Sequence, residues 1–132
     1  MNMKKTFIIS ICVILALVIA GILIANSPKV KAKREAYVSF ASCINDSGTT
    51  YYGAFWCPNC QKQKAMFKQG GNFLPYTECS TPDGKGTLQV CIDAEIKKYP
   101  TWNFPDGTRV EGVQTFENLS KGTSCPVPEI LK

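Results

Sequence analysis

The chain has 132 residues, enough for one domain and too few for two of comfortable size. Hydrophobic residues make up 45% and charged residues 19%, which excludes a disordered polar chain. The absence of histidine excludes Ser-His-Asp and Cys-His catalysis and every histidine metal site. The formal net charge of +5 resides near the N-terminus, where Lys4, Lys5, Lys29, Lys31, Lys33 and Arg34 face Glu35 alone. From residue 36 onward there are nine basic and nine acidic side chains, so no basic face for a nucleic acid is expected.

Phe7 to Ala25 is nineteen residues without a charge. A helix of that length rises roughly 28 Å, close to the hydrocarbon thickness of a bilayer. A buried helix of a soluble protein would be shorter and would carry a polar face. The opening MNMKK would also suit a cleaved secretory signal, but the candidate cut sites are poor. Leu23 and Ala25 put a bulky residue three before the cut, and Val30 and Ala32 lie beyond the apolar end. The expectation is an uncleaved anchor over residues 1–25, with residues 7–25 in the membrane. Basic residues after the segment, taken alone, would keep the C-terminal part in the cytoplasm. Six cysteines beyond residue 36 argue for an oxidising compartment and outweigh a small charge excess. Cys12 reads as a small residue within the apolar segment.

Residues 26–36 read as a polar juxtamembrane linker, a solvated spacer, and residues 37–132 as the folded domain. Tyr37 to Ile44 fits a short amphipathic helix that ends at Asn45-Asp46-Ser47-Gly48. Thr49 to Trp56 is β-branched and aromatic, as a buried strand is. Cys57-Pro58-Asn59-Cys60 opens a helix over 61–69 that Gly70-Gly71 is expected to stop. Phe73 to Cys79 reads as a strand, 81–86 as a turn-rich loop and Thr87 to Lys98 as a helix. Thr101–Phe104 and Thr108–Val113 form a hairpin around Pro105-Asp106-Gly107, and Thr115 to Lys121 a last helix. This order defines an α/β layered domain with a mixed central sheet flanked by helices, after one transmembrane helix.

A C-x-x-C at a strand-to-helix turn has a specific chemical use. Cys57 falls at a helix N-terminus, where unpaired N–H groups and the macrodipole favour an anion and so an attacking thiolate. Cys60, one turn on, is placed to resolve a mixed disulfide, and Pro58 suits the first turn because its N–H is not needed. A lone C-x-x-C is also half a zinc site. The aromatic strand before it and the helix after it supply the context of a redox motif.

Thr49–Cys60 and Tyr99–Trp102 resemble the thioredoxin superfamily, with its W-C-x-x-C turn and cis-proline loop. The likeness is closer to the thioredoxin-like domain fused to, or partnering, bacterial vitamin K epoxide reductase homologues. It is carried by YGAFWCPNCQKQKAMF, LPYTECSTPDGKGT, the cysteine in VCIDAEI, and YPTW. The resemblance implies Cys57 as nucleophile, Cys60 as resolving thiol, Pro100 as the cis-proline facing them and Tyr99 as backbone for an extended substrate. It implies a disulfide between Cys79 and Cys91, exported cysteine-containing proteins as substrates, no bound cofactor, and a quinone-linked membrane partner that reoxidises the pair. Asn59 stands where the family often has a histidine, and Tyr51 where thioredoxin has a buried acid.

Residue spacing alone leaves fifteen connectivities for six cysteines. With the other pairs implied by the resemblance, Cys43 and Cys125 remain and are expected to join the first helix of the domain to the chain end. Trp56 is expected at the surface as part of a substrate-binding rim, for which Trp102 is a further candidate. Phe55, Met66 and Phe67 are expected in the core. Asp93 and Glu95 read as a solvated face; Lys62 and Lys64, just after the motif, are placed to support a thiolate electrostatically, with exposed helix lysines as the plainer reading. The leading reading is a single-pass, extracytoplasmic thiol–disulfide oxidoreductase of the cell membrane that passes disulfides to exported proteins. The alternatives are a reductase or isomerase of exported disulfides (cytochrome maturation included), a zinc module on Cys57, Cys60, Cys79 and Cys91, and a binding module without chemistry.

Overall fold

The computed structural model describes residues 3–132, and Met1 and Asn2 of the basic N-terminal run lie outside the described residues. The chain divides into two compact units, one ending at Lys33 and the other spanning Arg34–Lys132. In the first, helix α1 (Met3–Ala25) contains a stretch, Lys5–Ala25, with a mean hydropathy of 3.3, long and apolar enough to cross a membrane. Its large side chains from Phe7 to Ile24 are exposed.

Helix α2 (Pro28–Asp46) takes in most of the 26–36 linker as well as the helix expected from Tyr37. The Lys31 N–H bonds the Ser27 carbonyl at 3.1 Å, and Pro28 occupies the first turn, where it lacks only a donor that would go unpaired. Lys, Ala, Arg and Glu then propagate the helix, since their side chains lose little freedom in it. Phe40, Ala41 and Ile44 form its buried stripe.

A four-stranded mixed sheet organises the second unit, in the order β2-β1-β3-β4. Strand β1 (Thr50–Gly53) is parallel to β2 (Tyr76–Glu78) and antiparallel to β3 (Thr101–Asn103), which pairs with β4 (Arg109–Glu111). The fold is thioredoxin-like: helices flank this sheet, and one N-terminal apolar helix precedes the domain. Alternation along β1 separates two cores. Tyr51 joins Phe40, Ile44, Phe67, Trp102 and Leu119 in the larger one, whereas Tyr52 packs on the Cys79, Cys91 and Ile96 cluster. Leu119 comes from helix α5 (Phe116–Thr123), whose N-terminus is capped by the Thr115 hydroxyl accepting the Asn118 N–H.

Several elements are shorter than local patterning predicts. Strand β1 ends at Gly53, and 54–56 already turn toward the motif. Helix α3 (Pro58–Met66) gives way to a 3-10 turn over Lys68–Phe73, so Gly70-Gly71 lie inside a helical turn and do not terminate one. Their small size serves close approach: a side chain at Gly70 would run into the Tyr37 carbonyl, and one at Gly71 would lie 2.6 Å from the Lys64 carbonyl oxygen. Helix α4 (Gln89–Asp93) covers only part of 87–98. Cys91 is bonded to Cys79, Glu95 takes a left-handed φ of 53°, and the Ile96 N–H turns back to the Cys91 carbonyl at 2.9 Å. Arg109 then caps the helix by donating to the Ala94 and Glu95 carbonyls.

The Cys43–Cys125 bond closes a loop with a sequence separation of 82 and lies against the larger core. Loop-closure entropy makes such a cross-link worth roughly 4 kcal/mol. Replacing both cysteines by alanine should lower the urea midpoint by that equivalent, read by circular dichroism of the full chain. A shift below about 1 kcal/mol contradicts this.

Candidate active site

The site is built at the turn from β1 into α3. Cys57 has extended backbone (φ −76°, ψ 117°) and is the N-cap of α3, its Sγ accepting the Cys60 N–H at 3.3 Å. Its carbonyl accepts the Gln61 N–H at 3.1 Å, the first bond of the helix. A sulfur in this position satisfies one orphan donor of the helix start and sits at the positive end of the helix dipole. Cys57 and Cys60 are free thiols, 5% and 2% exposed, packed with Ala54 and half-buried Tyr99.

Cys60 is held from three sides. The Tyr51 hydroxyl donates to its carbonyl at 3.0 Å, and the Tyr51 ring stacks on Trp102 with centroids 4.2 Å apart. Burial, reinforced by the neighbouring thiols and Tyr76, pushes the Tyr51 hydroxyl far above the usual phenol range, so it stays a donor. Gly53 forms the second side. A methyl group there would lie 2.9 Å from Cys60 Sγ and 2.8 Å from Tyr76 Cε2, so only glycine leaves room for the sulfur. The third is α3 itself, where Gln63, fully buried, accepts the Gln114 N–H at 2.6 Å and donates to the Gln114 carbonyl at 3.1 Å. That pair fastens the motif helix to the segment between β4 and α5. Burial first, then the hydrogen bond with Cys57, pushes the Cys60 thiol up to about 12.

Glu78, at the end of β2, organises the rim. One carboxylate oxygen accepts the N–H groups of Ser80 (2.8 Å), Cys79 (3.1 Å) and Phe55 (3.3 Å), and the other accepts the Tyr76 hydroxyl at 2.8 Å. Lys64 Nζ sits 3.2 Å from the Tyr76 ring centroid. Burial lowers the Lys64 pKa, and Glu78 and Cys60 act to raise it.

Trp56 is 50% exposed; its indole N–H donates to Ser80 Oγ at 2.8 Å and its ring meets Tyr99 edge-on. Phe55 is 51% exposed, which corrects its assignment to the core. The chain has left the sheet at Gly53, and Glu78 holds the Phe55 N–H from within while the ring turns outward beside the 81–86 loop. Trp102 is no part of a rim: it is fully buried against Tyr51. Pro100 follows a cis peptide bond, is buried, and accepts the Gly112 N–H at 2.7 Å. Lys62 is exposed as read, while Lys64 is half-buried. Tyr99 packs on both sulfur clusters, Cys57/Cys60 and Cys79/Cys91. Because Cys79 and Cys91 are bonded to each other, they are not available as thiolates for a four-cysteine zinc site. Glu78, Tyr76, Gln63 and Gly53 were missed by sequence reasoning. The acid directly before Cys79 was the one local signal among them.

A dithiol at a helix N-terminus on a thioredoxin-like fold is an arrangement for thiol–disulfide exchange. No protein-family model matches the chain. It is similar to the thiol-disulfide oxidoreductase LTO1 of Arabidopsis thaliana, 45% identical over 74 residues, covering 52% of this chain and 19% of that protein's length. The chain therefore spans about a fifth of that curated relative.

Gly53→Ala should force the Cys60 sulfur or the Tyr76 ring aside and cost about 1–3 kcal/mol. Urea unfolding of the variant checks this, and stability equal to the parent contradicts the packing.

Proposed function

We propose that this protein is a membrane-anchored thiol–disulfide oxidoreductase whose domain works outside the cytoplasm. Cys57 attacks or donates a disulfide and Cys60 resolves it. The observation that carries the reading is the Cys57 sulfur capping α3 with Cys60 one turn behind it. The name of the plant relative supports the same chemistry. Residues 7–25 serve as the anchor and residues 37–132 as the working domain. Two disulfides, Cys43–Cys125 and Cys79–Cys91, support an oxidising location.

In this reading the substrates are exported proteins with free cysteines. They dock on Trp56 and along the backbone at Tyr99 and Pro100. The electrons pass to a quinone-linked membrane oxidoreductase of the vitamin K epoxide reductase type. That partner rests on the family resemblance of the motif region, and no cofactor in this chain is required.

The deciding measurement is the reduction potential of the Cys57–Cys60 pair in glutathione buffers, read by alkylation and mass spectrometry. Disulfide donation predicts about −120 to −180 mV. A value near about −270 mV would mean that the protein reduces its partners, with electron flow reversed. For orientation, alkaline phosphatase fused after Lys132 is expected to be active; an inactive, stable fusion would place the domain in the cytoplasm.

A further inference from the structure

In disulfide donation the Cys60 sulfur is the leaving group, and a thiol of high pKa leaves slowly. Cys60 is buried and its thiol is pushed up to about 12. Facing it are Cys57 on the same helix, Tyr51 from β1, Tyr76 from β2 and Tyr99 from the segment before β3. Tyr51 donates its proton to the Cys60 carbonyl, and Tyr76 donates its proton to Glu78. Glu78 is itself negative and is engaged by three backbone N–H groups. None of these groups brings a full positive charge.

Lys64 does. The sulfur of Cys60 and the edge of the Tyr76 ring flank the same point beside Gly53. Lys64 lies on the face of that ring, 3.2 Å from its centroid, one helical turn beyond Cys60. The ring face, Glu78 and Cys60 favour the ammonium against the burial that lowers its pKa, and a charge so placed acts through a medium that screens it poorly. The hydrogen bond from Tyr76 to Glu78 fixes the ring beneath it. Resting on the redox reading of the motif, we propose that Lys64 is a positioning residue whose ammonium, seated on Tyr76, steadies the Cys60 thiolate as it leaves. In the step, a substrate thiolate forms a bond to Cys57 Sγ and the Cys57–Cys60 bond breaks. The electron pair goes to Cys60, the substrate sulfur is oxidised, and the Cys60 thiolate later takes a proton from water. Lys64 keeps its proton throughout.

The test needs neither substrate nor turnover. In the full chain carrying Cys57→Ala, iodoacetamide reacts with the Cys60 thiolate, and peptide mass spectrometry gives its rate, with N-acetylcysteine added to the solution as the reference. At a fixed pH of about 9, Lys64→Met is expected to slow Cys60 alkylation about tenfold, the N-acetylcysteine rate staying unchanged. Lys64→Arg is expected to keep most of the rate. An unchanged Cys60 rate in Lys64→Met, or Lys64→Arg as slow as Lys64→Met, overturns the proposal. Lys64→Gln is read beside them, and thermal melting shows which neutral variant is folded and so decides. Failure of the redox reading itself would show elsewhere, as absent exchange by the unmodified chain.

Discussion

Tyr51 links the interior of the domain to the two thiols. Its ring lies flat on Trp102 in the larger core, its edge meets Tyr76, and its hydroxyl holds the carbonyl of Cys60. A buried phenol is costly unless its O–H is used. Here the need for a partner fixes where the first turn of α3 must stop. The sulfur of Cys60 then has only the space that Gly53 leaves, and the sulfur of Cys57 is left at the helix start as its cap. Sheet, helix and thiols are thus tied together by one side chain.

Much of this was legible from local pattern. The order of helices and strands comes from β-branched and aromatic runs, turn residues and helix formers, which act over a few neighbours. The boundaries were less legible. Residues 28–36 look like a polar spacer because charged residues outnumber the small apolar Val30, Ala32 and Ala36, yet their intrinsic preference is helical. The stretch 87–98 has a helical period, but a covalent tie at Cys91 and a left-handed Glu95 cut it short. Phe55 looks like core because it adjoins a buried strand, and nothing local shows that the strand ends at Gly53.

In the site, Cys57 and Cys60 announce themselves by spacing, whereas their surroundings do not. Gln63 finds its partner 51 residues away, and Glu78 gathers donors from the motif turn and from its own strand end. Lys64 reads as one more exposed helix lysine until Tyr76 is brought beneath it. These contacts exist only once the sheet and its helices are assembled, and apart from the acid before Cys79 local pattern gives no sign of them. Of the fifteen ways to join six cysteines, spacing alone selects none; the Cys43–Cys125 bond joins residues that local pattern never relates.

That bond gives the domain the topology of a ring with two short tails. The 81–86 loop, whose prolyl, aspartyl and lysyl side chains point to solvent, lies inside this ring and inside the smaller one that Cys79–Cys91 closes. A protease that cuts there leaves two pieces still joined covalently, and the nick stays hidden on a gel until a reductant is added. The domain is thus held together by its two disulfides even where its backbone is cut.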